Sequence, residues 1–185
     1  MARVEPLMTV DDLELLPEDG NRYELVEGEL LVSTAPGLTH QRVSMNLSII
    51  LAMYFAQHPI GEVLATPGIV FDIHNGVIPD LVVVLNERRD AITAGERFID
   101  APDIVIEIVS PGTENMRRDR IMKRQVYGKF GVNEYWVVDP QTRTVEVYRE
   151  QDEKLELAIT LADGDELRTA VLPEFACAVD RIFKR

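Results

Sequence analysis

A chain of 185 residues, 46% hydrophobic, is long enough to bury a sizeable core and is read as one domain spanning residues 1–185. A net charge of −13 argues against a broad polyanion-binding surface, and a single cysteine, Cys177, excludes an internal disulfide or a cysteine-rich zinc cluster. The apolar runs are too short and too amphipathic to cross a bilayer, and the first residues lack a signal-peptide core, so the expectation is a cytoplasmic protein with no membrane contact.

In chain order, Thr9 followed three residues later by Asp12 marks a helix start, and Leu13 and Leu16 extend a short helix from about Val10 to Leu16. "RYELVEGELLVS" gives two extended runs about Glu27-Gly28, a predicted hairpin. From Thr39 to about Gln57, Val43, Leu47, Ile50, Leu51 and Tyr54 recur at helical spacing. "GEVLATPGIVFDI" is extended but interrupted at Pro67-Gly68, and "VIPDLVVVL" and "DIVIEIVS" read as strands buried on both faces. A second amphipathic helix, roughly Glu114 to Phe130, ends at Gly131. "NEYWVVD" and "TVEVYR" pair through the Asp139-Pro140 turn, and "KLELAITL" and "ELRTAVL" add sheet before a short apolar end. This order predicts a mixed α/β (α+β) sandwich, its central sheet covered by the two long helices.

Three residues suggest chemistry. Asp80 follows Pro79 at a strand entrance, where local backbone hydrogen bonding is the plain alternative. Glu107 interrupts an apolar strand; alternation puts Ile104, Ile106 and Ile108 on one side and Asp103, Val105, Glu107 and Val109 on the other, which leaves open whether that second side is wet. If it is covered, the carboxylate needs a cation, a donor or a metal. Lys123 shares a helical face with Tyr127 and Phe130, and either snorkels to water or reaches Glu107. Two carboxylates from strands can hold Mg2+ together with waters, and a nearby lysine can orient an attacking water, the combination that phosphodiester hydrolysis requires.

"RYELVEGELLV", "HQRVSMNL", "PDLVVV", "DIVIEIVSPGT" and "RRDRIMKRQVYGKFGVNEYWVVDP" together resemble the Uma-type restriction-endonuclease family of the PD-(D/E)XK nuclease superfamily, from about residue 9 to the C-terminus. The resemblance implies a restriction-endonuclease-like fold and a nuclease using Mg2+, with Mn2+ as substitute, on DNA. It makes Asp80 the motif aspartate and Glu107 the acidic residue of the second motif, both metal ligands, with the Ile108 carbonyl as a further candidate. The strand lysine expected two residues after Glu107 is replaced by Val109, so the resemblance gives its catalytic role to Lys123, in the run from Asp119 to Lys123. Of the early acids Glu24, Glu27 and Glu29, "YEL" favours Glu24 as the accessory residue.

His40, on the same helical face as Val43 and Leu47, is read first as a packing or capping histidine and otherwise as an accessory site residue. "RRDRIMKRQVYGK" carries six basic residues and one acid, so Arg117, Arg118 and Arg124 are candidate DNA contacts, with a merely solvated helix face as the alternative. Tyr127, Trp136 and Cys177 are read as core. A homodimer is expected because cutting both strands of a duplex ordinarily takes two sites. The competing functional reading is a nuclease-fold binding module without catalysis, motivated by the acidic balance and the missing strand lysine.

Overall fold

Alternation along Ile104–Ile108 sorts that strand's side chains into two separate cores, and the rest of the architecture follows from what covers each. The computed structural model describes residues 7–112 and 118–184. Its elements are α1 (Val10–Leu13), β1 (Arg22–Val26), β2 (Glu29–Ser33), α2 (Leu38–Gln57), β3 (Gly61–Ala65), β4 (Ile69–Asp72), β5 (Asn75–Val77), β6 (Leu81–Leu85), α3 (Asn86–Ile92), β7 (Thr93–Ala94), β8 (Arg97–Phe98) and β9 (Ile104–Ile108). A π-helical stretch, Arg118–Lys123, then runs into α4 (Arg124–Lys129), followed by β10 (Glu134–Asp139), β11 (Thr144–Gln151), β12 (Lys154–Leu161), β13 (Glu166–Arg168), β14 (Ala176–Ala178) and α5 (Val179–Ile182).

The large sheet has the order β12-β11-β10-β9-β6-β3; β9 and β10 are parallel and the other pairs antiparallel. Ile104, Ile106, Ile108, Leu81, Val83 and Trp136 face a core closed by α2, the β13–β14 hairpin and α5. Val82, Val84, Val105, Val109 and Val137 face a second core, closed by α4 and by a second sheet of order β2-β1-β5-β4-β8-β7. Strands covered on both sides carry nearly continuous apolar runs, as β6 and β9 do.

The mixed α/β class is as predicted, but the covering layers differ. A long helix lies on one face only; the other is closed largely by a sheet of short strands, several of two to four residues, which give little periodic signal. The helix α3 and the β7–β8 hairpin are additions of the same kind. Helix α1 stops at Leu13 rather than Leu16, and "ELRTAVL" is strand only as far as Arg168. Residues 114–117 of the predicted second helix lie outside the described residues, and its described part opens as π-helix rather than α-helix.

Local chemistry explains the matching elements. Asp12 accepts from the Thr9 amide at 2.7 Å and from its hydroxyl at 2.8 Å, closing the first turn of α1. Glu27 and Gly28 both take positive φ, 51° and 77°, as a two-residue hairpin turn requires. Gly61 lets β3 approach β6, because a Cβ there would stand 2.5 Å from the Val84 carbonyl oxygen. Among the described residues no helix is long and apolar enough to cross a membrane.

Candidate active site

Register brings the two strand carboxylates together. Leu81 pairs with Ile106 and Val82 with Val105, so the antiparallel ladder carried one step further sets Asp80 beside Glu107. The Ile108 amide donates to Asp80 Oδ2 at 2.8 Å and fixes that carboxylate across the strand end. Glu107 projects into the second core and is only 4% exposed, which excludes the wet-face alternative.

A carboxylate so placed needs compensation, and it comes from the helix. Lys123, 2% exposed, stands with Nζ 2.8 Å from Glu107 Oε1 and 2.8 Å from Glu24 Oε1. Four residues on, the Tyr127 hydroxyl donates to the same Glu107 oxygen at 2.9 Å. Glu24, equally buried, also accepts from the Ile78 amide at 2.8 Å, which ties the β1–β2 hairpin to the residue before Pro79. Burial above all, then the charges of Glu107, Tyr135 and Glu24, raise the Tyr127 pKa well above the usual phenol range, so it remains a donor.

Asp80 has its own partners. His40 Nε2 lies 3.0 Å from Oδ2, and Arg22 Nη1 lies 3.5 Å from Oδ1. Burial pushes the Asp80 pKa up, but the His40 hydrogen bond and charge, the Ile108 amide and the charge of Lys123 outweigh it, and the carboxyl is held below its ordinary 3.8. His40 is packed on the buried face of α2, as its spacing implied, but it caps nothing; its polar contact is Asp80, and among the described residues its Nδ1 has no hydrogen-bond partner.

Three buried carboxylates, Glu24, Asp80 and Glu107, therefore surround one buried ammonium, with the half-buried Arg22 at the edge. Among the described residues these three carboxylates face two permanent cations, Lys123 and Arg22, and the donors are hard oxygens on adjacent elements, which suits a hard divalent cation. Among the described residues no three His, Cys, Asp or Glu side chains form a ready cage. Mg2+ does not require one, since one or two carboxylates with waters and substrate oxygens ordinarily hold it.

The remaining sequence candidates divide. Glu24 joins the centre, whereas Glu27 pairs with Lys129 at the surface and Glu29 is exposed. The Arg124 guanidinium lies over the Tyr148 ring, 5.1 Å from its centroid. Arg117, and the side chain of Arg118, lie outside the described residues. Sequence reasoning missed the Tyr127 hydroxyl, although its spacing of four from Lys123 signalled it. It also missed Arg120, which anchors the π-helical stretch by bonding Asp139 at 3.0 Å and Glu146 at 3.0 Å.

The fold, a mixed central sheet covered on both faces with these carboxylates at the ends of adjacent strands, is restriction-endonuclease-like. The family model Uma2, described as "Putative restriction endonuclease", matches residues 10–180, and the chain belongs to that family. The fold is similar to a crystal structure titled as "a putative nuclease belonging to DUF820" from Anabaena variabilis, with a TM-score of 0.77 at 21% identity, covering 95% of this chain and 97% of that one. No curated protein matches the sequence.

Proposed function

We propose that the protein is a divalent-metal-dependent endonuclease that hydrolyses phosphodiester bonds of DNA. The observation that carries this reading is the convergence of Glu24, Asp80 and Glu107, from three different strand segments, around the buried Lys123. An excess of buried negative charge costs stability unless a cation or chemistry accounts for it, and the family description and the named nuclease of similar fold support the same class.

In this reading Asp80 and Glu107 hold Mg2+, or Mn2+ in its place, which when bound supplies polarisation of a phosphoryl oxygen and a water of lowered pKa. His40 and the Ile108 amide orient the Asp80 carboxylate. Lys123 positions the attacking water, and Glu24 and Tyr127 hold the ammonium and Glu107 in register. Arg117, Arg118 and Arg124, from the basic run between residues 117 and 129, contact the strand. A homodimer would present two such centres to a duplex, which sedimentation velocity on the purified protein tests.

The endonuclease reading is tested on supercoiled plasmid with Mg2+ or Mn2+, against an EDTA control. Wild type should nick or linearise it, and Asp80→Asn, Glu107→Gln and Lys123→Ala should each lose that activity. Activity equal to wild type in all three variants would sink the assignment.

One observation favours a second reading, a nuclease-fold binding module without catalysis. Lys123 already compensates both Glu24 and Glu107, so that part of the network is satisfied without a metal. Calorimetric titration with Mg2+ and Mn2+ separates the readings: no metal binding together with intact plasmid favours the module, and metal binding lost in Asp80→Asn counts against it.

A further inference from the structure

Helix α2 is apolar on two opposite sides. Val43, Leu47, Ile50 and Tyr54 fill the first core, and on the other side of the helix run Leu38, Arg42, Met45, Ile49, Ala52 and Ala56, at spacings of four and three in turn. These six face solvent; Leu38, Met45 and Ile49 are between 49% and 76% exposed, and Met53 beside them is 53% exposed. A surface helix ordinarily turns a polar face outward, and a helix apolar all round is ordinarily covered all round. Over about 30 Å of helix this outer stripe carries the four-three repeat of a coiled-coil seam.

The order of sizes along the stripe points to what covers it. Its long side chains stand in the N-terminal half and at the centre, and its alanines at the C-terminal end. A second copy laid antiparallel, with the two-fold axis level with Leu47, sets Met45 against Ile49 of the second copy, Arg42 against Ala52 and Leu38 against Ala56. Each contact is then made twice, long against small toward both ends and long against long at the centre, as a closed isologous interface requires. A parallel pair would crowd Leu38 against Leu38 and leave alanine facing alanine at the other end, where little apolar surface would be buried.

Charge favours the same face and the same orientation. Two copies of net charge −13 repel each other, but α2 carries no acidic residue over its whole length. Its N-terminal half bears Arg42 and lies beside Lys184, whose carbonyl accepts from the Asn46 amide at 2.9 Å. At its other end Glu174 stands by the C-cap residue, 3.8 Å from His58 Nε2. Antiparallel packing turns the basic half of each helix toward the acidic end of the other and opposes the two helix dipoles, whereas parallel packing sets like against like.

We infer that the outer face of α2 is an interface with a second copy of this chain, an antiparallel α2–α2 seam centred on Met45 and Ile49. The inference rests on the homodimer reading and not on cleavage, and it adds the surface, the orientation and the register.

The test is sedimentation equilibrium of the full chain, loaded over the range of about 1–100 μM that suits a small interface. Met45→Lys and Ile49→Glu alter exposed positions, so both variants stay folded. Each change acts twice across the axis and should weaken the dimer by about 100-fold or more. Combined in one chain, Met45→Lys and Ile49→Glu place opposite charges face to face at both central contacts and should recover about tenfold of the loss, whereas Met45→Lys with Ile49→Lys should recover none. Leu157→Lys, on the edge strand β12 of the large sheet, should dimerise as wild type does. A dimer that survives both single changes, or that Leu157→Lys dissolves in their place, overturns the seam while the homodimer reading stands. Loss in the single variants without recovery in the oppositely charged pair overturns the antiparallel register. A wild type that is monomeric throughout overturns the seam and the homodimer together and leaves the endonuclease reading to the plasmid assay; if that monomer co-sediments with phosphatidylcholine vesicles and Ile49→Glu does not, the face belongs to a lipid surface instead.

Discussion

Replacing Lys123 by methionine tests whether the buried charges hold one another in place. Methionine keeps much of the apolar stem and removes the ammonium that stands 2.8 Å from both Glu24 and Glu107. Two carboxylates then face each other inside a core, and stranding a buried charge by deleting its partner costs about 3–5 kcal/mol. Tyr127 still donates to Glu107 and the Ile78 amide to Glu24, which places the expected loss toward the lower end. At about 2–4 °C per kcal/mol for a chain of this length, the melting temperature should fall by roughly 6–20 °C. Urea unfolding followed by the fluorescence of Trp136, which is fully buried, measures the loss directly when EDTA excludes metal. Adding Glu24→Gln removes one stranded carboxylate and should recover part of the loss, a coupling of about 0.5–3 kcal/mol. A Lys123→Met loss inside the roughly 0.5 kcal/mol typical of surface substitutions, or strict additivity in the double variant, refutes the buried-network argument.

Two further outcomes are expected. Asp139 is pushed up by burial, but Arg120 and the amides of Gln141 and Thr142 outweigh this and hold its pKa below the ordinary 3.8. A folded-state pKa below the unfolded one adds stability that is complete above about pH 4 and lost as pH falls through the folded value, so the stability gap between wild type and Asp139→Asn should close on acidification; a gap that stays constant down to acid unfolding contradicts this. Gly61→Ala sets a Cβ 2.5 Å from the Val84 carbonyl and should cost about 1–3 kcal/mol by forcing β3 off β6, whereas Gly68→Ala, with open space around it, should be near neutral in the same thermal melt; equal melting temperatures for the two variants would show that the β3–β6 contact is not tight.

The sequence was most legible where one periodicity governed one element. The side assignment along β9 holds, and Glu24 separates from Glu27 and Glu29 as strand alternation requires. What alternation could not decide was whether the side bearing Glu107 is wet, because periodicity assigns a face and not its cover. That cover is a sheet assembled from strands far apart in the chain, β1, β4, β5 and β8; the β1 hairpin and the extended run that holds β4 are legible locally, but nothing local says that they pack over β9. His40 shows the same division. Its burial could be read from Val43 and Leu47, but its partner Asp80, forty residues away, follows only from how α2 crosses the end of β6. The helix α3 was missed because Ile92 is its one buried residue, too little for an amphipathic signal.

Val109 and Lys123 together show how an ammonium reaches Glu107 without standing on its strand. Val109 is buried in the second core on the same side as Glu107, so a lysine there would reach the carboxylate along the strand and give up that packing. Arriving instead from the end of the π-helical stretch, the ammonium meets the same Glu107 oxygen and also Glu24, which a strand hairpin distant in sequence supplies. What compensates Glu107 is a charge placed beside it, and the chain address of its carrier is secondary. This placement has a structural consequence: the charge depends on helix docking as well as on the sheet. Arg120, three residues before Lys123, bonds Asp139 and Glu146 on β10 and β11 and so fixes the stretch that carries the lysine to the large sheet. The carboxylates stand on strands, whose positions the ladder sets, while the ammonium is held through a helix clamped by a second ion-pair network. The integrity of the centre is thereby coupled to contacts at Arg120 that touch neither Asp80 nor Glu107.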